Sequence, residues 1–210
     1  MILYFIRHGQ TNYNLENLIQ GCTDIPLNET GRKQAEEVGK LLREKKITWD
    51  MIYCSPLDRA QTTCEIATGI PRSQYIVDRR LREIEVGALA HTSMLDTDPI
   101  TVAFTKHPEQ YVPGEGAESY QQMIDRVGDF LEDLKCQRPA EKILIACHRG
   151  PIQSVIMYLD KSIPLKDFRR IAIPNASCLE VELDDDGVYH VTNLYKNDNN
   201  TLEDEKIFFN

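Results

Sequence analysis

The fold is decided by three short stretches of the chain: Arg7-His8-Gly9, Ser55-Pro56-Leu57-Asp58-Arg59 and Cys147-His148-Arg149-Gly150. Each of them directly follows an apolar, strand-like run, at residues 2–6, 51–54 and 143–146. If these runs are parallel strands of one sheet, all three stretches lie outside the carboxyl ends of the strands, where open α/β sheets bind ligands. Two imidazoles and two guanidiniums would meet there, and such a cluster suits an anion, above all a phosphate.

The rest of the chain extends this pattern to an α/β fold. Helical patterns follow the strands, which predicts a three-layer, mostly parallel mixed sheet flanked by helices. Residues 178–183 alternate apolar and acidic side chains before the turn signal Asp186-Gly187, so residues 188–195 are predicted to pair back as an antiparallel edge. Residues 9–30 are predicted to be a long loop. Ser55 is predicted to cap the helix that carries Arg59, with Pro56 as its first residue.

The length of 210 residues predicts a single domain over residues 1–210. Residues 88–118 have weak periodicity and are predicted to form a small cap over the sheet edge. Ser119 and Gln122 have the form of a capping box and predict the start of the helix that follows. The polar residues 196–210 are predicted to be a poorly ordered tail.

The composition of the chain limits the kinds of molecule that it is expected to bind and the compartment in which it is expected to work. A net charge of −9 argues against nucleic acid, which usually needs a basic face, but it permits a local basic pocket for a small anion. The six cysteines lack C-x-x-C spacing, which indicates free thiols in the cytoplasm and no disulfide framework. With no signal-like segment and no long apolar run, we expect neither secretion nor a membrane partner. Monomer and homodimer both stay open.

Two other kinds of chemistry are not expected at the sheet edge. A zinc site needs three or four ligands with close spacing, and the sequence has neither H-E-x-x-H nor His-x-His. Arg7 and Arg59 would also repel a cation, so we expect no metal and no cofactor. Cys54 and Arg59 form C-x4-R, one residue short of the C-x5-R loop of cysteine phosphatases. Cys54 and Cys147 lie at strand ends and are predicted to be small core residues.

Nucleophilic catalysis by an imidazole is the chemistry that remains. His8 and His148 each stand beside an arginine just past an apolar strand, and a plain core position rarely carries such a charge because its burial is costly. A neutral histidine can attack phosphorus in line and form a phosphohistidine. Its other ring nitrogen needs an acceptor, for which we expect a backbone carbonyl in the Gly9 turn. Cations must hold the transferring oxygens, and an acid must protonate the leaving oxygen and then activate water.

Five motifs occur in order along most of the chain, to about Ser177. They are Arg7-His8-Gly9-Gln10-Thr11 with Asn14; Gln20-Gly21 with Asp24, Pro26-Leu27 and Gly31; Ser55-Pro56-Leu57 with Arg59-Ala60 and Thr62 or Thr63; Leu81-Arg82-Glu83 with Gly87; and His148 with Gly150. In residue type and spacing they resemble the signatures of the histidine phosphatases, also called the phosphoglycerate mutase-like superfamily.

This resemblance implies roles for the residues of the phosphoryl site. His8 would be the phospho-accepting nucleophile. Arg7, Arg59 and His148 would hold the phosphoryl group, and Asn14 would contact the same group.

The resemblance also implies residues that face the rest of the substrate. Gln20 and Gly21 would lie toward it, and Glu83 would be the acid/base. Glu85 competes with Glu83, because on a strand the two side chains would share a face and spacing alone does not choose between them.

The sequence departs from the family pattern at three places. Arg149 follows His148, where the family has glycine, and it either points to solvent or reaches the substrate as an added cation. Residues 88–91 stand where the family carries a tryptophan and E-G, and residues 116–119 read G-A-E-S in place of G-E-S. The last two departures lie in the predicted cap and concern the identity of the substrate.

The expected function is metal-independent hydrolysis of a small phosphomonoester metabolite through a phosphohistidine. The first alternative is a phosphoglycerate mutase, and the second is a catalytically weak module that binds a phosphorylated ligand. The set of His8, His148 and Glu83 argues against pure binding, which needs no acid. A mutase must hold a bisphosphate, yet Lys106 is the only lysine or arginine in residues 88–118, beside acidic residues at 96, 98, 109, 115 and 118. This acidic cap favours the phosphatase.

Overall fold

The computed structural model describes residues 1–196, so the predicted tail beyond Lys196 lies outside the described residues. Six strands form one sheet in the order β3-β2-β4-β1-β5-β6. They are β1 (Ile2–Arg7), β2 (Met51–Cys54), β3 (Ile76–Val77), β4 (Lys142–Cys147), β5 (Cys178–Leu183) and β6 (Tyr189–Tyr195). Strands β1 to β4 run parallel, and β5 and β6 are antiparallel. The predicted α/β fold, with its mostly parallel sheet and antiparallel edge, is confirmed.

Helices cover both faces of the sheet and make three layers. The α-helices are α1 (Asn12–Leu15), α2 (Glu29–Glu44), α3 (Asp58–Thr68), α4 (Pro99–Lys106), α5 (Tyr120–Gln137) and α6 (Arg149–Leu159). Side chains alternate along each strand, so β1 sends Leu3 and Phe5 into the core under α5 and α6 and sends Tyr4 and Ile6 into the core under α2 and α3. Both faces of β1 and β4 are therefore apolar, which explains why these strands read as continuous hydrophobic runs.

The register of the central strands brings the two histidine stretches together. Arg7 pairs with Cys147 across β1 and β4, and the backbone N–H of His8 donates to the carbonyl of Cys147 at 3.1 Å. The residues that follow both strands therefore emerge side by side, as the sequence predicts.

Two local predictions are wrong. The stretch 9–30 is not only loop, because Thr11 and Asn14 form a capping box that starts the four-residue helix α1. Ser55 does not cap a helix: α3 begins at Asp58, and the residue before it is Leu57, which makes no side-chain cap. The Ser55 hydroxyl instead lies 2.7 Å from Nε2 of His148, so this side chain belongs to the site.

Residues 88–118 form short helical elements beside the carboxyl ends of the parallel strands. A 3₁₀ turn (Gly87–Leu89), helix α4 and a second 3₁₀ turn (Pro108–Gln110) follow one another. The capping box that starts α5 is present, with Ser119 accepting from the backbone of Gln122. The face of α5 that packs into the core is buried at Tyr120, Met123, Val127, Phe130, Leu131 and Leu134.

Candidate active site

A cavity of about 260 Å³ opens where β1, β2 and β4 end. Seven of the residues predicted for the site line it together with Arg149: Arg7, His8, Asn14, Gln20, Gly21, Arg59 and Glu83. His148 lies behind them, fully buried, with its ring centroid 5.1 Å from that of His8. The structure thus brings every predicted site residue to one place, although the sequence separates them by up to 142 positions (from Arg7 to Arg149).

The ring of His8 has a fixed orientation. Its Nδ1 lies 2.7 Å from the carbonyl oxygen of Gly9, and since a carbonyl can only accept, Nδ1 carries the proton. This contact with the Gly9 turn is the acceptor that the sequence led us to expect. The neutral ring then keeps the Nε2 lone pair for an electrophile in the cavity. Burial is the main cause that lowers the pKa of His8 well below 6.5, and the charges of Arg59 and Arg7 lower it further.

His148 is held by the serine that the sequence had assigned to a helix cap. The Ser55 hydroxyl accepts from the backbone N–H of Leu57 at 3.3 Å and meets Nε2 of His148 at 2.7 Å. Nδ1 of His148 is buried and has no hydrogen-bond partner among residues 1–196. A buried ring nitrogen of this kind is suited to an oxygen of a bound anion, which would supply the missing partner.

Arg59 is the cation at the base of the site. Its side chain is fully buried, and its two terminal nitrogens donate to the carbonyls of Thr23 and Gly21, each at 2.7 Å. Burial lowers the pKa of this guanidinium, while the carboxylates of Glu83 and Asp24 raise it. The guanidinium is therefore a fixed positive charge that also shapes the loop after α1.

We expect that Arg59→Lys lowers kcat/KM for p-nitrophenyl phosphate by roughly 10²–10³-fold, the usual cost of removing one fixed donor from a charge-stabilising site. Lysine keeps the charge but cannot donate to both carbonyls in one plane, so the loop and the cation shift together. Steady-state kinetics measures this effect. Arg32→Lys on the exposed side of α2 is the matched control, and equal kinetics for the two variants would contradict the placement of Arg59.

Two amide side chains are oriented so that their NH₂ groups can donate. The hydroxyl of Thr11 lies 3.2 Å from Oδ1 of Asn14 and 3.0 Å from Oε1 of Gln20. The same Oδ1 of Asn14 accepts from Nδ2 of Asn175 at 3.3 Å. Because the amide oxygens are engaged in the protein, the amide NH₂ groups of Asn14 and Gln20 are left for oxygen atoms in the cavity.

The structure distinguishes Glu83 from Glu85, which the spacing in the sequence could not do. Glu83 lines the cavity and accepts from the backbone N–H of Ile84 at 2.9 Å, whereas Glu85 is not part of the cavity wall. The segment is irregular backbone after a 3₁₀ turn (Arg79–Leu81), so the expectation of a shared strand face is wrong.

A partly buried ion pair fixes the backbone around Glu83. Arg126 donates to both carboxylate oxygens of Glu118, at 2.6 and 3.0 Å, and also to the carbonyl of Glu83 at 3.2 Å. Glu118 in turn donates its backbone N–H to the carbonyl of Glu85 at 2.8 Å. Helix α5, which carries Arg126, therefore positions the acid/base candidate.

Two glycines of the sequence motifs lie where atoms of another segment come too close to leave room for a Cβ atom. A Cβ at Gly31 would collide with the backbone of Gln10, so the start of α2 can pack directly against the turn after His8. A Cβ at Gly150 would collide with a carboxylate oxygen of Glu83. Glycine at position 150 thus allows Glu83 to approach the start of α6.

The cavity wall also includes residues that were not predicted from the sequence, among them the polar residues Gln153, Arg169 and Asn175. Asn175 donates to the carbonyl of His8 at 3.0 Å and so helps to fix the turn. Gln153 lies one helical turn after Arg149 on α6, and Arg169 lies in a 3₁₀ helix (Leu165–Arg170). Only the unusual Arg149 hinted at extra polar residues on this side, and no spacing pointed to Arg169.

The buried histidines predict a loss of stability in acid. Burial, followed by the charge of Arg59, lowers the pKa of both His8 and His148 well below 6.5. Below about pH 6.5 the unfolded chain therefore binds protons that the folded chain excludes, and stability falls as the pH drops toward the folded-state pKa. Each histidine contributes a slope of up to about 1.4 kcal/mol per pH unit in this range.

Urea denaturation at several pH values between about 5 and 7.5 measures this slope. We expect a shallower acid slope for His148→Gln than for the unmodified protein, because the variant lacks one of the two buried imidazoles. His190→Gln, at an exposed strand position, is the control and should keep the original slope. An unchanged acid slope in His148→Gln would contradict the prediction that the buried imidazole of His148 contributes to the loss of stability in acid.

Residues 1–196 contain neither a cluster of metal ligands nor a membrane-spanning helix. No group of three or more His, Cys, Asp or Glu side chains in this range is arranged to hold a metal ion. Nor does any helix of the described part have the length and apolar character needed to cross a membrane. All six cysteines are free thiols, and Cys54 and Cys147 are buried as predicted.

The site and the fold together define a class of protein. Residues 3–195 match the histidine phosphatase superfamily (branch 1), and the chain belongs to this family of enzymes. The predicted family resemblance is thereby confirmed over nearly the whole described chain.

Individual relatives carry two kinds of activity in their names. The chain is 29% identical over 179 residues to the uncharacterized phosphatase PhoE of Bacillus subtilis, covering 84% of this chain and 86% of the relative. It is 30% identical over 200 residues to a 2,3-bisphosphoglycerate-dependent phosphoglycerate mutase of Parvibaculum lavamentivorans, covering 89% and 92%. Among solved structures, a mutant phosphoserine phosphatase of Entamoeba histolytica in complex with phosphoserine is similar with a TM-score of 0.78 at 25% identity, covering 92% of this chain and 95% of that one.

Proposed function

We propose that this enzyme is a metal-independent, acid-type histidine phosphatase that hydrolyses a small phosphomonoester metabolite through a phosphohistidine on His8. The observation that carries the proposal is the orientation of that ring. With Nδ1 donating to the carbonyl of Gly9, Nε2 is a neutral nucleophile that faces a cavity lined by Arg7 and Arg59.

The reaction follows in two displacements. Nε2 of His8 forms a bond to phosphorus while the bond to the ester oxygen breaks, and protonated Glu83 gives its proton to the leaving oxygen. The Glu83 carboxylate then takes a proton from water, whose oxygen attacks phosphorus and releases inorganic phosphate and neutral His8. Arg7, Arg59 and His148 hold the equatorial oxygens, where charge develops in both steps.

The proposed ligand is a small phosphorylated metabolite, and no nucleic acid or membrane partner is part of the proposal. The free cysteines support a cytoplasmic location, where thiols stay reduced. Both a monomer and a homodimer are compatible with the cavity, which is formed by residues of a single chain.

Turnover of p-nitrophenyl phosphate in the presence of a chelator tests the proposal against a module that only binds phosphorylated ligands. We expect turnover that the chelator does not reduce. Binding of inorganic phosphate without any turnover of phosphomonoesters would support the binding module and would overturn the proposed hydrolysis.

A phosphoglycerate mutase is the second candidate, because relatives at similar identity carry that name. A mutase must keep its phosphohistidine from water and bind a bisphosphate. The predicted cap contributes Met94 and Phe104 to the cavity wall and no cation, which favours hydrolysis, although Arg149 and Arg169 supply positive charge from elsewhere.

The two candidates are separated by supplying 3-phosphoglycerate with 2,3-bisphosphoglycerate and following both products. We expect release of inorganic phosphate to outpace formation of 2-phosphoglycerate. Rapid formation of 2-phosphoglycerate with little release of phosphate would overturn the phosphatase assignment in favour of the mutase.

A further inference from the structure

Ser55 lies beside His148 because the strands that precede the two residues are neighbours. Cys54 pairs with Ala146 across β2 and β4, and the backbone N–H of Ser55 extends this ladder by donating to the carbonyl of Ala146 at 2.9 Å. Both side chains are fully buried, and the Ser55 hydroxyl lies 2.7 Å from Nε2 of His148. The backbone hydrogen bonds of the sheet therefore fix this contact in place.

The neighbours of the Ser55 hydroxyl decide which way its proton points. Among residues 1–196 this hydroxyl contacts two groups, the backbone N–H of Leu57 at 3.3 Å and Nε2 of His148. The N–H of Leu57 can only donate, so the hydroxyl oxygen accepts there and its proton is left for Nε2. If Nε2 carried a proton instead, the hydroxyl proton would have no acceptor in a fully buried place, which is costly. Nε2 of His148 is therefore the acceptor in this contact.

This contact decides the tautomer of His148. With Nε2 as an acceptor, the neutral ring carries its proton on Nδ1. Burial is the main cause that lowers the pKa of His148 well below 6.5, and the charge of Arg59 lowers it further, so the ring is neutral near pH 7. Nδ1 is also the buried ring nitrogen that has no hydrogen-bond partner among residues 1–196. His148 therefore presents a neutral N–H donor that needs an acceptor.

A phosphoryl oxygen would supply this acceptor. The ring centroids of His8 and His148 are 5.1 Å apart, so a phosphoryl group on His8 brings oxygen atoms to the neighbourhood of the second ring. Nε of Arg59 is another buried nitrogen without a partner in the described part of the chain, and a guanidinium N–H can only donate. Two such donors at one site suit an anion, whereas a lone pair on Nδ1 would repel the phosphoryl oxygens.

We propose that Ser55 is a positioning residue: its hydroxyl donates to Nε2 of His148 and so holds this ring in the tautomer whose Nδ1–H donates to an oxygen of the phosphoryl group. This inference rests on the proposed phosphatase function and deepens it. Ser55 touches neither the substrate nor the reacting atoms and acts only through His148. His148 in turn stabilises the charge on the phosphoryl oxygen as a neutral donor, without adding a positive charge to the site.

The tautomer is read directly by NMR of enzyme whose histidines are labelled with ¹⁵N. The signals of His148 are identified by their absence from the spectrum of His148→Asn. With inorganic phosphate bound at about pH 7, we expect a proton on Nδ1 of His148 and a lone pair on Nε2. In Ser55→Ala this preference should weaken, because the donor to Nε2 is gone. A proton on Nε2 of the unmodified enzyme, protons on both ring nitrogens, or an unchanged tautomer in Ser55→Ala would overturn the proposal.

Kinetics separates a positioning role from a merely structural one. Ser55→Ala should lower kcat/KM for p-nitrophenyl phosphate by roughly tenfold, the scale of one neutral hydrogen bond, and Ser55→Thr, which keeps the hydroxyl, should restore most of the loss. In the background of His148→Asn, whose amide can still donate to an anion, Ser55→Ala should have no further effect, because the partner through which Ser55 acts is gone. Equal losses in both backgrounds would show that Ser55 only supports the fold and would overturn the proposal.

Ser154→Ala is the matched control for these variants. It removes another fully buried hydroxyl, which donates to the carbonyl of Gly150 at 2.9 Å and does not contact His148. This variant should keep both kcat/KM and the tautomer of His148. A shift of the tautomer in Ser154→Ala as large as that in Ser55→Ala would contradict a specific role for Ser55.

Failure of the proposed function is distinguishable from failure of this inference. If no phosphomonoester is hydrolysed, the phosphatase assignment fails, but the NMR measurement with inorganic phosphate needs no turnover. The affinity for inorganic phosphate, measured by calorimetric titration, then replaces kcat/KM in the same comparison. A loss of affinity in Ser55→Ala that disappears in the His148→Asn background supports the positioning role, and no loss, or equal losses in both backgrounds, overturns it.

Discussion

Replacement of His8 by alanine is expected to lower kcat/KM for p-nitrophenyl phosphate by about 10⁴-fold or more, which is the scale of loss when a nucleophile is removed. The reason is that Nε2 of His8 is the proposed attacking atom and the other ring nitrogen is engaged with Gly9 at 2.7 Å. His148 is not expected to substitute for it, since its Nε2 is engaged with Ser55 and its Nδ1 is proposed to hold an oxygen of the bound anion. Steady-state kinetics with p-nitrophenyl phosphate measures the effect.

His8 is buried, so a loss of activity must be separated from a loss of the fold. His8→Asn provides this control, because its amide can still donate to the carbonyl of Gly9 but is not a nucleophile. It should show native circular dichroism and the same loss of activity. His190→Ala at the exposed strand β6 should behave like the unmodified enzyme. Normal turnover by either His8 variant would rule out His8 as the nucleophile.

The second large effect is expected at Glu83. Glu83→Gln should lower kcat by roughly 10²–10⁴-fold for an alkyl phosphate, the usual span for general acid–base catalysis. In the phosphorylation step of p-nitrophenyl phosphate the loss should be much smaller, because that leaving group needs little protonation. Single-turnover kinetics on both substrates measures the difference.

Glu85→Gln is the matched control two residues along the chain. The Glu85 side chain is not part of the cavity wall, so this variant should keep the activity and its dependence on the leaving group. If Glu85→Gln shows the leaving-group pattern and Glu83→Gln does not, the roles of the two carboxylates are reversed.

The sequence predicted the site residues well where they directly follow the end of a strand. The apolar runs before His8 and His148 predicted that these residues emerge together, and the pairing of β1 with β4 places them side by side. The motif around Glu83 also pointed to the residue that lines the cavity. These predictions succeeded because parallel strands align their carboxyl ends whatever the intervening chain does.

Other features depended on contacts between distant segments, which spacing does not encode. Ser55 looked like a helix cap because serine before proline is a common helix start, yet its hydroxyl contacts His148, 93 residues away. Arg169 and Gln153 reach the cavity through α6 and the 3₁₀ helix after it, and no local pattern distinguishes them from surface or core residues. The irregular backbone at Glu83 likewise depends on Arg126 and Glu118 from α5 and the segment before it.

The central claim is tested most directly by the position of the phosphoryl group on the enzyme. Rapid quenching of turnover in alkali, followed by proteolysis and mass spectrometry, should identify an acid-labile phosphate on His8. The attached atom should be Nε2, because Nδ1 donates to the carbonyl of Gly9. Phosphate on Nδ1, phosphate on another residue, or turnover without any phosphoprotein at the earliest times would contradict the account.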